Sequence, residues 1–163
     1  MALITPIIDR TLNDSIILKQ VISRIKSVGF DSASSSDISY FFSSPKGAWN
    51  TVDHNRIAYN INFLRDTLNL YGYNVTFDDI QDVIMSDLPY YTTVFTEIDT
   101  KLHQLLGAFY PFSHEDFVLS QQLDYHDFNV LESLIQTLYD LIQKMTESFN
   151  YCGTFYTGDT IML

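Results

Sequence analysis

The sequence has few cysteines and few basic residues, which are the residues that disulfide-bonded, zinc-binding and nucleic-acid-binding proteins need. Its 163 residues include one cysteine, Cys152, which excludes an intramolecular disulfide and a zinc site built from several thiolates. Only 9 Lys and Arg residues stand against 20 Asp and Glu, and the formal charge of -11 disfavours nucleic acid and anionic membranes as partners. A basic partner is compatible with that charge.

Long apolar runs, a cationic N-terminus and glycine-rich loops are also missing. No stretch approaches the roughly 20 apolar residues of a membrane helix, and the first ten residues do not resemble a signal peptide. With six glycines in all, the chain has no candidate cradle for nucleotide phosphates. We therefore expect a soluble, unprocessed chain, and its single cysteine agrees with assembly in a reducing compartment.

Apolar and aromatic residues are abundant. At 46% hydrophobic, a chain of this size can bury a core without disulfide or metal cross-links. Its 12 Phe and 11 Tyr exceed what a small core is expected to hide, so we expect some of these rings to contact a partner.

Apolar residues at helical spacing predict a mainly α fold. The clearest helix covers residues 51–71, with a polar opposite face, and its apolar stripe is Ile57, Ile61, Leu64, Leu68 and Tyr71. Further helices are predicted from Asn13 or Asp14 to Gly29, with a stripe from Ile17 to Val28, from about 92 to 109, and from near 127 to 148. A serine-capped helical turn follows the loop at 31–37. Residues 72–89 read as a short helix capped by Thr76 or as an extended run.

We predict a single domain made of a bundle of three to four longer helices with short connecting helices. An extended N-terminal arm (1–11) precedes the bundle (12–148), and a small β-prone tail (149–163) follows it. The arm is apolar and contains Pro6, so we expect it to be buried against another subunit. The tail is either a small hairpin that packs on the bundle or on a neighbour, or a frayed terminus.

Two helices begin with the same residues. Asp53-x-Asn55-x-Ile57 matches Asp127-x-Asn129-x-Leu131, and residues 94–105 fit only the apolar half. The match indicates either convergent capping of bundle helices or a repeated unit.

Three blocks carry a resemblance to a known family. They are ITPIIDRT at 4–11, KGAWN at 46–50 running into DHNRI at 53–57, and YCGTFYTG at 151–158. In this order they resemble a family of tail-associated structural proteins of bacteriophages infecting Gram-positive bacteria. The resemblance implies a place in a virion and no catalysis. His54, Ala58 and the segment 90–105 depart from the family pattern.

The candidate chemical sites are incomplete. His114-Glu115 lacks the second histidine of a metalloprotease helix, since Val118 stands in its place. The acidic residues Asp78, Asp79, Asp82 and Asp87 lack the spacing of a calcium loop. We therefore predict no enzymatic activity, no catalytic residue, no cofactor and no metal.

Two functions remain in different classes. The favoured one is a non-enzymatic component of a phage tail or baseplate, located in the virion after assembly in the host cytoplasm, with other virion proteins and copies of itself as partners. Its predicted contact residues are Leu3, Ile4, Ile7, Trp49, Phe155, Tyr156 and Ile161. The alternative is a host-recognition module whose exposed aromatic rings bind cell-wall glycans.

Overall fold

The described parts of the chain are mostly helices, and a longer segment without helix lies at residues 71–84. The computed structural model describes residues 2–84, 91–109 and 124–151, and the side chains of all these except 91–94, 150 and 151. Its helices are α1 (Leu12–Val28), a 3-10 turn at Phe30–Ser32, α2 (Ser35–Phe42), α3 (Thr51–Leu70), α4 (Tyr91–Phe109) and α5 (Tyr125–Tyr151). This confirms the predicted mainly α fold. The β-prone segment 152–163 lies outside the described residues, and α5 continues past residue 148, where the tail was predicted to begin.

Four helices begin in the same way, with a polar cap residue and an aspartate three positions later. The pairs are Thr11 and Asp14, Ser34 and Asp37, Asn50 and Asp53, and Asp124 and Asp127. In each pair the cap side chain accepts a hydrogen bond from the backbone N–H of the aspartate, which satisfies a donor that the helix leaves open. The predicted caps Asn13 and Asp14 of α1 are therefore wrong, because Asp14 is the second member of its pair.

The main core lies between α3, α4 and α5. Helix α3 packs against both other helices, and the predicted stripe from Ile57 to Leu68 is fully buried. Tyr71 follows the end of α3 and is 41% exposed. On the face predicted to be polar, Arg56 and Asn60 are also buried, because the N-terminal arm and α5 cover them.

The segment after α3 returns along that helix. Gly72, at φ 88, lies where the chain reverses, and residues 73–84 contain no helix. The predicted alternative of a short helix capped by Thr76 is wrong. We call residues 71–84 the connector.

Helices α1 and α2 form a hairpin with a smaller interior. They pack on each other, and the buried side chains of α1 are Leu18, Val21 and Ile25. The predicted stripe of α1 is correct at its centre and wrong at its ends, since Ile17 and Val28 are 36% and 54% exposed. Leu18 faces inward in place of Ile17. No helix among the described residues is long and apolar enough to cross a membrane.

Candidate functional site

A cluster of buried charges lies between the first turns of α3 and α5. The Nη2 atom of Arg10, from the arm, donates to Asp53 Oδ1 at 2.9 Å and to Glu132 Oε1 at 2.7 Å. Arg56 Nη2 donates to the same two oxygens, each at 2.6 Å. The four side chains are at most 7% exposed. We call these residues the arginine–carboxylate cluster.

The cluster is balanced in charge and complete in its hydrogen bonds. Asp53 Oδ2 accepts from Asn50 Nδ2, and Glu132 Oε2 accepts from Arg56 Nε and from the backbone N–H of Ile7. Burial by itself lowers the pKa of Arg56, but the hydrogen bonds and charges of Glu132 and Asp53 outweigh it and raise the pKa above its ordinary value. Since every carboxylate oxygen already accepts a hydrogen bond, the cluster is suited to holding the arm in place and not to exchanging protons with a substrate.

Polar side chains hold the N-terminal arm along the groove between α3 and α5. The side-chain oxygen of Asn60 accepts from the Ile4 N–H at 2.9 Å, and its NH₂ group donates to the Ile4 carbonyl at 2.8 Å. Asn129 pairs in the same way with the N–H and carbonyl of Arg10, at 3.1 and 2.8 Å. We call this two-bond pairing of a side-chain amide with one backbone residue an amide clamp.

Three more amide clamps hold the connector on α3. Asn69 pairs with both backbone groups of Val75, Asn62 with those of Ile80, and Asn55 with those of Val83, at distances of 2.8 to 3.1 Å. An amide clamp satisfies backbone groups that a helix or sheet would otherwise satisfy, and it does not depend on the side chain of the residue it holds. The clamps thus fix the backbones of the arm and the connector on the bundle, in addition to the side chains that these segments bury.

The turn before α3 joins the hairpin to the rest of the molecule. A Cβ added to Gly47 would lie 2.3 Å from the carbonyl oxygen of Asp14 and 2.9 Å from the Cβ of Leu18, so only glycine fits there. The ring of Trp49 stacks on Phe128 at 5.3 Å between centroids and contacts Phe95 at 4.6 Å. This turn therefore places a close backbone contact and an aromatic anchor next to each other.

One buried nitrogen near this turn has no hydrogen-bond partner among the described residues. The Nε2 atom of His54 lies 3.0 Å from the Gln81 carbonyl, whereas its Nδ1 is buried without a hydrogen bond. Trp49 meets the His54 ring edge to face at 6.0 Å. The imidazole thus links α3 to the connector.

Two surface cavities differ in character. An apolar one of about 270 Å³ lies between the hairpin and the turn before α3, and it is lined by Leu18, Ile22, Phe41, Pro45, Ala48, Trp49, Asn50 and Thr51. An open cleft of about 650 Å³ between α3 and the connector combines aromatic rings with carboxylates, among them Tyr59, Phe63, Asp66 and Asp79.

The structure places four of the seven predicted contact residues. Leu3 and Trp49 pack against the main core, Ile7 is half-buried, and Ile4 is 45% exposed. The arm thus packs on its own chain, and Ile4 is the predicted arm residue with the most surface left for a partner. Phe155, Tyr156 and Ile161 lie outside the described residues.

Arg10 and Glu132 were not among the predicted site residues, and Arg56 and Asn60 belong to the face of α3 that was predicted to be polar. One signal was present, because Asp53 and Asn55 match Asp127 and Asn129, and both asparagines prove to be amide clamps. Arg10 gave no signal, since an arginine in an apolar arm reads as a surface residue.

Among the described residues, neither metal-ligand geometry nor similarity to known proteins adds a residue to the site. In the parts of the chain that the structure describes, no three His, Cys, Asp or Glu side chains are placed to hold a metal ion. No protein-family model matches the chain, and comparison with curated proteins and with solved structures gives no match.

Proposed function

We propose that this protein is a non-enzymatic structural component of a phage virion, placed in the tail or at its distal end and bound to other virion proteins and to copies of itself. The observation that carries the proposal concerns the sequence blocks that resemble phage tail proteins. Arg10 of the first block and Asp53 of the second are joined in the arginine–carboxylate cluster. The resemblance thus falls on residues that build one structural unit.

The arm and the hairpin support this role by the surface they expose. Ile4 and Ile8 of the arm are 45% and 53% exposed, and Leu12 and Ile16 extend the apolar surface along α1. At the other end of the hairpin, Phe30, Phe41 and Phe42 form an exposed cluster with ring centroids 5.5 to 6.5 Å apart. Exposed apolar side chains in such numbers, and a cluster of exposed rings above all, are typical of protein–protein contact sites.

The first test is to find the protein in its particle. Mass spectrometry of purified virions is expected to detect it at a fixed ratio to the major tail protein, and imaging of the particle should then give its position and symmetry. Its absence from mature particles would refute the structural role.

The second test separates contact from folding. Phe42→Ser and Ile8→Ser change exposed positions, so both variants should fold normally by circular dichroism and lose incorporation into particles. Thr137→Ser, at an exposed position of α5, is the matched control and should incorporate normally. Normal incorporation of both hairpin and arm variants would show that these surfaces are not used.

Binding of host cell-wall glycans is a second candidate, favoured by the cleft between α3 and the connector. Tyr59 and Phe63 stack with an interplanar angle of 2° on the rim of that cleft, and Asp66 and Asp79 provide acceptors for sugar hydroxyl groups. An aromatic platform with a few polar groups is a common form of ligand site. The purified protein should then bind cell-wall fragments and lose that binding on Tyr59→Ala; equal binding by this variant would remove the cleft from consideration.

A further inference from the structure

The N-terminal arm is bound as an extended peptide, at three evenly spaced residues. Amide clamps hold the backbones of Ile4 and Arg10, and the backbone N–H of Ile7, midway between them, donates to Glu132 Oε2 at 2.7 Å. A spacing of three residues is the repeat of a polyproline-II chain, whose backbone groups are not paired with one another. The body therefore binds the arm as a groove binds an extended peptide ligand.

The contacts of the arm are separate from those that begin α1. The groove side chains that bond to the arm belong to α3 and α5, and we call them the arm groove: Asp53, Asn60, Asn129 and Glu132. An exposed ion pair between Asp9 and Lys46 adds to them. At the other side of the junction, Thr11 and Asp14 close the first turn of α1 with their own capping box. An arm supplied by a different chain can therefore make the same bonds in the groove.

The arm groove is incomplete in charge without an arm. Asp53 and Glu132 carry two negative charges, and Arg56 supplies one positive charge, so the buried cluster becomes neutral only when Arg10 joins it. A buried carboxylate without a counter-charge is strongly unfavourable. The groove thus favours an occupied state, whichever chain supplies the arm, and it selects the arm by its arginine.

Apolar side chains on both sides of the junction remain in water when the arm lies on its own chain. Ile4 and Ile8 of the arm are 45% and 53% exposed, and Leu12 and Ile16 of α1 are 57% and 43% exposed. A second copy that crosses its arm at Thr11 lies next to these side chains and can cover them. Exchange of arms keeps the bonds of the groove and adds buried apolar surface.

We propose that the arm groove is a binding site for the arm of a second copy, and that two copies exchange arms when they fold together. The ligand is the extended segment 2–10, recognised by its backbone and by the guanidinium group of Arg10. Because each chain's own arm is tethered beside its groove, exchange requires a high protein concentration. The inference adds to the proposed function the means by which copies bind one another, and it rests on that function in this respect alone. Its tests use purified protein in solution, so their failure would leave the place in a virion open.

Complementation between two variants of the full chain tests the exchange. Arg10→Ala keeps an intact groove and lacks the anchor of the arm, whereas Glu132→Ala keeps an intact arm and lacks a carboxylate of the groove. Refolded together from urea at high concentration, they should form a species with one copy of each by native mass spectrometry. This species should have a higher urea midpoint than either variant alone. A mixture that contains no such species and unfolds like the separate variants would overturn the proposal.

The control for this experiment is Arg10→Ala refolded with an isotope-labelled copy of itself. No arm in that mixture carries the arginine, so we expect no pairs of labelled and unlabelled chains. Pairs as abundant as in the first mixture would refute arm exchange, because they would place the contact on another surface.

A peptide measurement keeps the test decisive where a variant does not fold by itself. The acetylated peptide of residues 2–11 should raise the urea midpoint or the helix content of the Arg10→Ala chain, because it binds the folded state. A peptide with Arg10→Ala should need at least about a tenfold higher concentration for the same effect, since it lacks the charged hydrogen bonds. A peptide with Ile8→Ser is the matched control and should act like the unaltered one, because this side chain is exposed. If the unaltered peptide has no effect, the groove does not accept an arm from outside its own chain.

Discussion

The α1–α2 hairpin and the three-helix body of α3, α4 and α5 handle their polar and apolar residues in opposite ways. The body buries charged and amide side chains, including Arg56, Asn60 and Glu132, which bond to one another and to the arm. The hairpin buries three residues of α1 and none of α2, and it exposes Phe30, Phe41 and Phe42. The body thus holds the buried polar contacts that stabilise the fold, and the hairpin presents exposed apolar side chains.

This difference indicates where the two kinds of mutational effect lie. A buried and completed polar network makes loss of any one member costly, because the charges that remain buried are then no longer balanced. Exposed apolar side chains contribute little to the free energy of unfolding and are free to contact another molecule. Changes in the body should therefore affect folding, and changes in the hairpin should affect association.

The largest expected effect comes from Glu132→Ala. It leaves Arg10 and Arg56 beside a single carboxylate in a buried site, and it frees the Ile7 N–H, so we expect a loss of about 3 to 5 kcal/mol in the free energy of unfolding. Urea denaturation measures this. Glu147→Ala, at an exposed position of the same helix, should change the value by less than about 0.5 kcal/mol. Equal effects of the two substitutions would contradict a structural cluster.

A glycine pair tests the junction between the two regions. Gly47→Ala forces a Cβ against the backbone of Asp14 and should destabilise the protein by about 1 to 3 kcal/mol. Gly107 of α4 has open space where its Cβ would be, so Gly107→Ala should instead stabilise it by about 0.5 to 1 kcal/mol. Thermal and urea unfolding give both signs. A stabilising Gly47→Ala would mean that the hairpin does not pack closely on this turn.

The clamps themselves should contribute less than the charged cluster. Asn62→Ala removes both hydrogen bonds to Ile80 and should lower the free energy of unfolding by about 1 to 3 kcal/mol. Asn13→Ala, an exposed amide on α1, is the comparison, and its effect should stay within about 0.5 kcal/mol. If the two variants unfold at the same urea concentration, the connector is not held by its clamps.

The smallest effect is expected in the hairpin, from a pH-dependent ion pair. The hydrogen bonds from Arg24 hold the pKa of Asp37 below its ordinary value of 3.8. The carboxylate is thus favoured in the folded state, so its contribution is present at neutral pH and is lost as the pH falls from 3.8 through the lower folded pKa. Asp37→Asn should lower the urea midpoint slightly at neutral pH, and the difference should vanish in acid. A difference that persists in acid would assign the effect to the helix cap.

Local patterns predicted the helices well and the polar interior poorly. The stripe of α3 and the end of α1 at Gly29 follow from spacing and glycine, which are properties of neighbouring residues. The burial of Arg10 depends on Glu132, which is 122 positions away, and no local pattern contains that information. The exposure of Ile17 has a similar cause, because the adjacent Leu18 packs against the turn before α3 and takes the place of Ile17 in the apolar stripe.

The charge cluster also sets an order for events during synthesis. Arg10 leaves the ribosome before Asn129 and Glu132, which bind it and which follow 119 and 122 positions later. At ordinary translation rates of about 5 to 20 residues per second, roughly 6 to 24 seconds pass between the synthesis of the arm and that of the residues that bind it. During that interval an apolar arm with a cationic end is available to chaperones or to a neighbouring chain, and the arm becomes committed to its own chain once α5 has formed.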